Sequence, residues 1–460
     1  MNVLFVIYDN GSYTHWFPHG AAYLAAILKK NGHHITIYNQ DIHHYPEQHL
    51  TNYLDNNDFD IVAIGIISGY YQYRKLLLLA DAINNSKKRP VFILGGHGPS
   101  PEPEFFLKKT NADIACIGEA EDTIVELLQS LEARTPLNAV DGIAYREGTK
   151  VTINKRRMPV QDIDTIPFPA YELFPIDHYR LIRFVHASDT DFVFPVLSGR
   201  GCTFKCSFCY RLEDGFRARS AESIIEEVNL LKSNYNINYI YFFDELLMSS
   251  EKHTVELCEA FIRANLNVRW SCNGRLNYAK PALLKLMKRA GCVFINYGIE
   301  SVDDIVLKNM RKALTVKIIE KGIQSTLDAG ISPGFNMIFG NIGDTRETLD
   351  KAVQFLLKYD DGAQLRTIRP VTPYPGAPLY YDAISKGLLK DVEDFYENKH
   401  VNSDLLSVNF TELSDDDFHV ALMEANSKLL ENYYKNKLSL MLQQTRDLYV
   451  NKNITFRGYR

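Results

Sequence analysis

The sequence predicts an α/β protein of two domains: a doubly wound, Rossmann-like domain, then a partial (βα)6 barrel, closed by a helical C-terminal segment. Three observations carry this reading. Short apolar runs alternate with amphipathic stretches from residue 1 to about 140; the same alternation resumes near 191 after a proline-bearing stretch; past 395 the pattern turns polar and helical. With 460 residues, 46% of them hydrophobic, the chain can bury more than one core.

In the first domain, 1–140, strands are expected near 2–8, 34–39, 60–67, 91–95 and 113–117, with helices over 21–30, 73–84 and 123–131. Ligands of such sheets sit beyond the carboxyl ends of the strands, which directs attention to the turns 9–20, 68–71, 95–99 and 118–121. Gly95, Gly96 and Gly98 permit close backbone approach to a ligand, and an ordinary tight turn would use them too. Residues 141–190 carry Ile166-Pro167-Phe168-Pro169 and Phe174-Pro175 and read as a linker. The barrel, 191–394, is expected to place strands at 192–197, 239–243, 269–273, 293–299, 334–339 and 365–369, with chemistry at their C-terminal ends. In 395–460 one long helix is expected over 418–440.

The balance of 51 basic against 56 acidic side chains gives no electrostatic reason to expect a nucleic-acid partner. The chain starts on an apolar strand with no basic leader, and no run approaches the ~18 apolar residues of a membrane span, so a cytoplasmic protein is expected. Seven cysteines, three of them within eight residues, are not a disulfide framework; clustered thiols in a reducing compartment serve as metal or cluster ligands.

Those three, Cys202, Cys206 and Cys209, have a Cys-x3-Cys-x2-Cys spacing that seven scattered cysteines would give by chance only about 0.002 times. Zinc is the alternative to a cluster, but a structural zinc site closes with a fourth ligand, and no Cys-x2-Cys or His-x3-His partner lies nearby. Three thiolates leave one iron of a cubane open to bind a cosubstrate.

The loop Gly199-Arg200-Gly201-Cys202-Thr203-Phe204-Lys205-Cys206-Ser207-Phe208-Cys209 resembles that of the radical S-adenosylmethionine superfamily, including the aromatic Phe208. The resemblance implies a [4Fe–4S] cluster that chelates S-adenosylmethionine, with Phe208, Asp244, Glu245, Arg275, Glu300 and Ser301 as its contacts. Asp244-Glu245 resembles the acidic end of the second strand, and Gly298-Ile299-Glu300-Ser301 the Gly-x-Glu-Ser of the fourth. Helix capping by the acids and a surface ion pair for Arg275 are the structural alternatives. Val302 and Ile342 depart from the family's glycine and proline; Pro373-Tyr374-Pro375-Gly376 fits its sixth-strand ending.

One class of that superfamily carries a cobalamin-binding domain before the barrel, and residues 1–380 resemble it. Pro18-His19-Gly20-Ala21-Ala22-Tyr23 is similar to its first helix start, and Gly95-Gly96-His97-Gly98 and Gly118-Glu119 to later ligand-facing turns. The resemblance implies that Pro18, His19, Gly20, Ser68, Tyr70, Tyr71, Gly95, Gly96, His97, Gly98, Gly118 and Glu119 line the cobalamin. Asp41-Ile42-His43-His44-Tyr45-Pro46 nearly spells the Asp-x-His-x-x-Gly of other cobalamin proteins, but it follows the second strand and ends in proline, so it is read as a decoy.

The activity so implied is cobalamin-dependent methylation of an unactivated carbon, through a 5′-deoxyadenosyl radical and methylcobalamin. An external donor such as flavodoxin or ferredoxin would supply the electron, the substrate would be a small molecule or peptide, and Tyr210, Arg366, Arg369 and Tyr374 are candidates to face it. Cyclisation or rearrangement on the same two cofactors is the alternative. Methylthio transfer would need three more N-terminal cysteines where only Cys116 stands, and a non-enzymatic zinc or cofactor module is the reading from another class.

Overall fold

The computed structural model describes residues 1–11, 16–188 and 190–455. The five expected N-terminal runs form the parallel strands β1 (Asn2–Ile7), β2 (His34–Asn39), β3 (Ile61–Gly65), β4 (Val91–Gly95) and β5 (Ile114–Cys116), in the order β2-β1-β3-β4-β5. The helices His19–Lys30 and Glu121–Ala133 bury one face; Glu47–Asn56, Tyr70–Asn84 and Pro103–Thr110 bury the other. Burial on both faces explains why the strands read as continuous apolar runs. The strand order reverses between β1 and β3, so a ligand crevice opens beyond their ends.

Two of these helices escape the sequence reading. Glu47–Asn56 turns only Leu50, Thr51 and Leu54 inward, and Pro103–Thr110 spans eight residues, too short for a sustained period. The sheet also runs past residue 140. In the stretch read as a linker, β6 (Ile143–Glu147) and β7 (Lys150–Ile153) form a hairpin whose first strand pairs antiparallel with β5. The hairpin covers what would otherwise be an open sheet edge.

The second sheet contains β8 (Val193–Val196), β11 (Tyr239–Phe242), β12 (Arg269–Gly274), β13 (Cys292–Glu300), β14 (Ser332–Phe339) and β15 (Ile368–Pro370), with the small hairpin of β9 (Gly199–Cys202) and β10 (Gly215–Ala218) inserted after β8. Its six strands are parallel in the order β15-β14-β13-β12-β11-β8, an open barrel wall. Five lie where the sequence predicts them, and the sixth, expected at 365–369, is the shorter Ile368–Pro370.

The chain then returns to the first domain. Tyr380, Leu389, Phe395, Tyr396 and Val408 join the core that holds Tyr73 and Phe106, and the Tyr396 and Tyr73 rings are 4.6 Å apart. The helix Asp415–Tyr449 is capped by Ser414 and carries three aspartates in its first turn, where the helix dipole favours them. It packs through Phe418, stacked 4.8 Å from Phe339, and is buried as far as Leu429. No helix among the described residues is long and apolar enough to cross a membrane.

Candidate active site

The cysteine loop leaves β9 and returns through β10, and glycine makes that hairpin possible. Gly201 has φ +87°, and a Cβ there would collide with the Gly215 carbonyl; a Cβ on Gly199 would collide with the Phe216 ring. Cys206 is buried, Cys202 half-buried and Cys209 exposed. Cys209 lines a cavity of about 900 Å³ with Tyr210, Pro101, Arg156, Glu213 and Tyr381. Two backbone bonds clasp the loop: the Ser207 N–H donates to the Met310 carbonyl at 2.9 Å, and the Ser207 carbonyl accepts from the Leu379 N–H at 2.8 Å.

The strand ends surround this loop with charge. Arg275, after β12, is 6% exposed; its guanidinium carbon lies 3.4 Å from the Phe204 ring centre, Nη1 lies 3.8 Å from the Cys206 sulfur, and Nη2 is buried without a partner. An orphaned buried cation donor beside thiols fits an anionic group. Three thiols on one short loop, Cys202, Cys206 and Cys209, fit a cubane, whose cysteines bind separate irons.

Glu300 ends β13 at a register shift, with φ +70°, and pairs with buried Lys312 at 2.9 Å. Lys312 Nζ in turn lies 5.3 Å from the Phe208 ring centre, which ties the fourth strand to the cluster loop. Ser301 is buried and accepts from the Asp303 N–H at 3.3 Å.

Asp244 accepts from the Ser198 N–H at 2.7 Å and from the Ser198 hydroxyl, which locks the second strand end to the start of the cysteine loop. Burial pushes its carboxyl up to about 7, although the Ser198 bonds favour the anion. A carboxyl that holds its proton more tightly when folded contributes stability that is complete below about pH 4 and disappears as pH rises through about 7. Asp244→Asn is therefore expected to flatten the fall in melting temperature between pH 4.5 and 7.5 relative to wild type; equal slopes would contradict the burial assignment. Glu245 is exposed toward the loop, its carboxyl also raised by desolvation.

Sequence reading misses the polar row that runs across the strand ends from Asp244. Asn273 Nδ2 donates to the Asp244 carbonyl at 2.8 Å, and Asn296 Nδ2 to Asn273 Oδ1 at 3.2 Å. The signal is present as single asparagines inside the apolar strands β12 and β13.

At the first domain's strand ends, residues 12–15 lie outside the described residues. Gly96, at φ +94°, and Gly98 bring the turn after β4 against the turn after β3: a Cβ on Gly98 would lie 3.1 Å from Ile66, and Ser68 Oγ donates to the His97 carbonyl at 3.3 Å. Gly20 has nothing within 4 Å of a built Cβ, whereas Gly95 would meet only Cys116. Ile67 on the turn after β3 and Tyr71 in the first turn of the helix that follows are about half exposed, and Phe243 is similarly exposed at the end of β11. Exposed apolar surface at a switch crevice, with glycine-thinned turns, fits a large flat cofactor such as cobalamin.

His19 is committed to the barrel: its Nε2 bonds the Pro195 carbonyl at 3.1 Å, its ring lies 6.1 Å from Phe243, and burial pulls its imidazole down to about 4, so it is neutral. Pro18 precedes that helix as its cap residue, and Tyr70 begins the helix after β3, its ring 6.4 Å from His400. His97 lies 6.2 Å, edge to face, from Tyr210. In the stretch read as a decoy, Asp41 accepts from the Asn10 N–H at 2.9 Å and His44 pairs with Asp9 at 3.1 Å, both beyond the end of β1.

Several expected contacts are engaged elsewhere. Glu119, expected at the cobalamin, is held by Arg200 at 3.2 Å and by Arg217, and Gly118 packs against Glu213. Arg366 is buried between Asp360 at 2.8 Å and Asp361 at 2.6 Å, over the Phe335 ring. Arg369 pairs with Asp404 on the surface at 3.1 Å, and Tyr374 packs against Phe395 and His400. These three therefore do not face the cavity beside Cys209; of the four substrate candidates only Tyr210 lines it. The two arginines are held by carboxylates, Arg366 before β15 by Asp360 and Asp361 and Arg369 within it by Asp404, and Tyr374 is held by aromatic packing.

The B12 binding domain family matches residues 8–128 and the Radical SAM superfamily residues 196–356. An uncharacterised methyltransferase of Pyrococcus horikoshii is 30% identical over 382 residues, covering 81% of this chain and 79% of that one. The chain belongs to the B12-dependent radical S-adenosylmethionine enzymes. An anaerobic magnesium-protoporphyrin IX monomethyl ester cyclase of Rubrivivax gelatinosus is 26% identical over 391 residues, covering 83% of this chain and 68% of that one. Among solved structures, the radical S-adenosylmethionine methyltransferase TsrM from Kitasatospora setae, with cobalamin and a [4Fe-4S] cluster bound, shares the fold at a TM-score of 0.74 and 15% identity, covering 93% of this chain and 88% of that one. This B12-dependent radical S-adenosylmethionine enzyme uses a [4Fe–4S] cluster, S-adenosylmethionine and cobalamin.

Proposed function

We propose that this enzyme methylates an unactivated carbon of a small molecule or peptide. The observation that supports the reading is the meeting of the two domains' ligand turns: Tyr210, next to Cys209, packs against His97 of the turn after β4. The horikoshii relative, named a methyltransferase and matched over 79% of its length, agrees with it.

In this reading Cys202, Cys206 and Cys209 hold the cluster, and Arg275, Glu245, Phe208, Ser301 and the Glu300–Lys312 pair surround the cosubstrate, with Asp244 fixing the loop through Ser198. Pro18 to Gly20, Ser68, Tyr70, Tyr71 and the Gly95–Gly98 turn form the cobalamin side. Bound, the cluster supplies one-electron cleavage of S-adenosylmethionine and the corrinoid supplies methyl transfer. The chain's own residues position these groups and exclude water, and no side chain need act as acid or base. An external flavodoxin or ferredoxin would reach the cluster from the exposed Cys209 side, and a cytoplasmic location suits seven unpaired thiols.

The test is anaerobic reconstitution with iron, sulfide and hydroxocobalamin, then reduction and addition of S-adenosylmethionine deuterated at the methyl group together with candidate substrates. 5′-Deoxyadenosine with a deuteromethylated product is expected. Deoxyadenosine with a substrate that is cyclised and carries no label would replace this reading with the one that the Rubrivivax relative favours. Deoxyadenosine without retained corrinoid would overturn both.

A further inference from the structure

Both ends of the cysteine loop are pinned to the N-terminal domain by ion pairs. At its start Arg200, two residues before Cys202, reaches Glu119 at 3.2 Å and Glu121 at 2.6 Å. Across the hairpin, Arg217 of β10 grips both carboxylate oxygens of Glu119, with Nη1 at 3.0 Å from Oε2. Past the loop's end Glu213, four residues after Cys209, pairs with Arg156 at 3.0 Å, and Arg156 also donates to the Leu212 carbonyl.

The first group is enclosed: the side chains of Arg200, Arg217, Glu119 and Glu121 are 16%, 12%, 9% and 9% exposed. The backbone adds to it. Gly118, at φ +82°, donates its N–H to Ser100 Oγ at 3.1 Å, and a Cβ in its place would meet Glu213 Oε1 at 2.6 Å. The turn after β5 is thus fitted to the hairpin that frames the cluster loop and is joined to the turn after β4. Desolvation offsets most of the Coulomb energy of buried ion pairs, so what matters here is the two-pronged geometry of the group and not its net stability.

We propose that Glu119 is a positioning residue: its carboxylate, shared by Arg200 and Arg217, fixes the cysteine loop against the ligand edge of the N-terminal domain and so sets the separation of the two cofactors. The proposal rests on the two-cofactor reading, and not on the identity of the reaction. Chemistry that uses two centres held on different domains requires a fixed separation, since a misplacement of about 1 Å costs on the order of a hundredfold in rate.

The experiment is pulsed dipolar EPR on the full chain loaded with both cofactors, reduced so that Co(II) and the cluster are each paramagnetic, with no turnover required. Wild type is expected to give one narrow distance. Glu119→Gln keeps the shape and removes the charge, and should lose that single distance to a broad distribution at unchanged iron and cobalt content. Arg217→Lys keeps the charge but not the two-pronged grip, and should fall between them; it also carries the test if Glu119→Gln does not accumulate. A merely structural ion pair would lower the melting temperature and leave the distance narrow. That result in both variants would overturn the proposal, whereas a wild-type protein that takes up iron but no corrinoid would overturn the two-cofactor reading instead.

Discussion

Cys206→Ala is expected to leave a folded protein whose 5′-deoxyadenosine formation falls by at least about a thousandfold. Cys206 is the central thiol of the loop and the most enclosed of the three; it lies outside the strands and helices and has the Arg275 guanidinium beside its sulfur. Removing it takes a ligand from one iron of the cluster while leaving the flanking hairpin, the Ser198–Asp244 bonds and the Glu300–Lys312 pair in place. Iron content and deoxyadenosine should therefore fall together, with the far-ultraviolet spectrum and corrinoid binding retained. Cys116→Ala is the matched control. Cys116 is buried in β5, where desolvation pushes its thiol up to about 12, so it serves the core as a neutral small side chain. Deoxyadenosine at wild-type levels in the Cys206 variant would remove that thiol from the cluster.

Lys312→Met is expected to cost about 3–5 kcal/mol of stability, because it leaves Glu300 as a buried carboxylate without its counter-charge. The two side chains are 7% and 9% exposed, and Glu300 sits where β13 shifts register at positive φ, so the carboxylate has no simple way out to water. The double variant Lys312→Met with Glu300→Gln should recover much of the loss, since it removes the stranded charge. Thermal and denaturant unfolding of the single and double variants measure the coupling directly. A single variant within about 0.5 kcal/mol of wild type would show that the pair behaves as an exposed one.

How much of this was legible beforehand differs by element. The parallel strands of both sheets are mostly apolar and bounded by turn residues, so periodicity and length suffice to place them. The hairpin 143–153 and the helices at 47–56 and 103–110 were not legible, because each is short and stabilised by what it packs against. Within the site, the cysteines and Arg275 could be named from motif chemistry, since ligand type and spacing are local properties of the chain. Lys312, Asn273 and Asn296 could not, because a polar residue in an apolar strand or after a helix has no address until the strands are aligned.

The sequence by itself determined the two-domain α/β plan and the three-cysteine loop, and its motifs carried the resemblance to the B12-dependent radical S-adenosylmethionine enzymes. Each of these is written in periodicity, spacing and residue type within short stretches of chain. Only the tertiary structure decided partnership. It showed Arg366 and Arg369 in ion pairs with Asp360, Asp361 and Asp404, returned residues 380–408 to the first domain's core, and paired Glu119 of the turn after β5 with Arg200 and Arg217. The physical reason is that a charged side chain takes the nearest opposite charge it can reach without exposing itself, and that neighbour is set by packing between segments distant in sequence, eighty-one residues apart for Arg200 and Glu119.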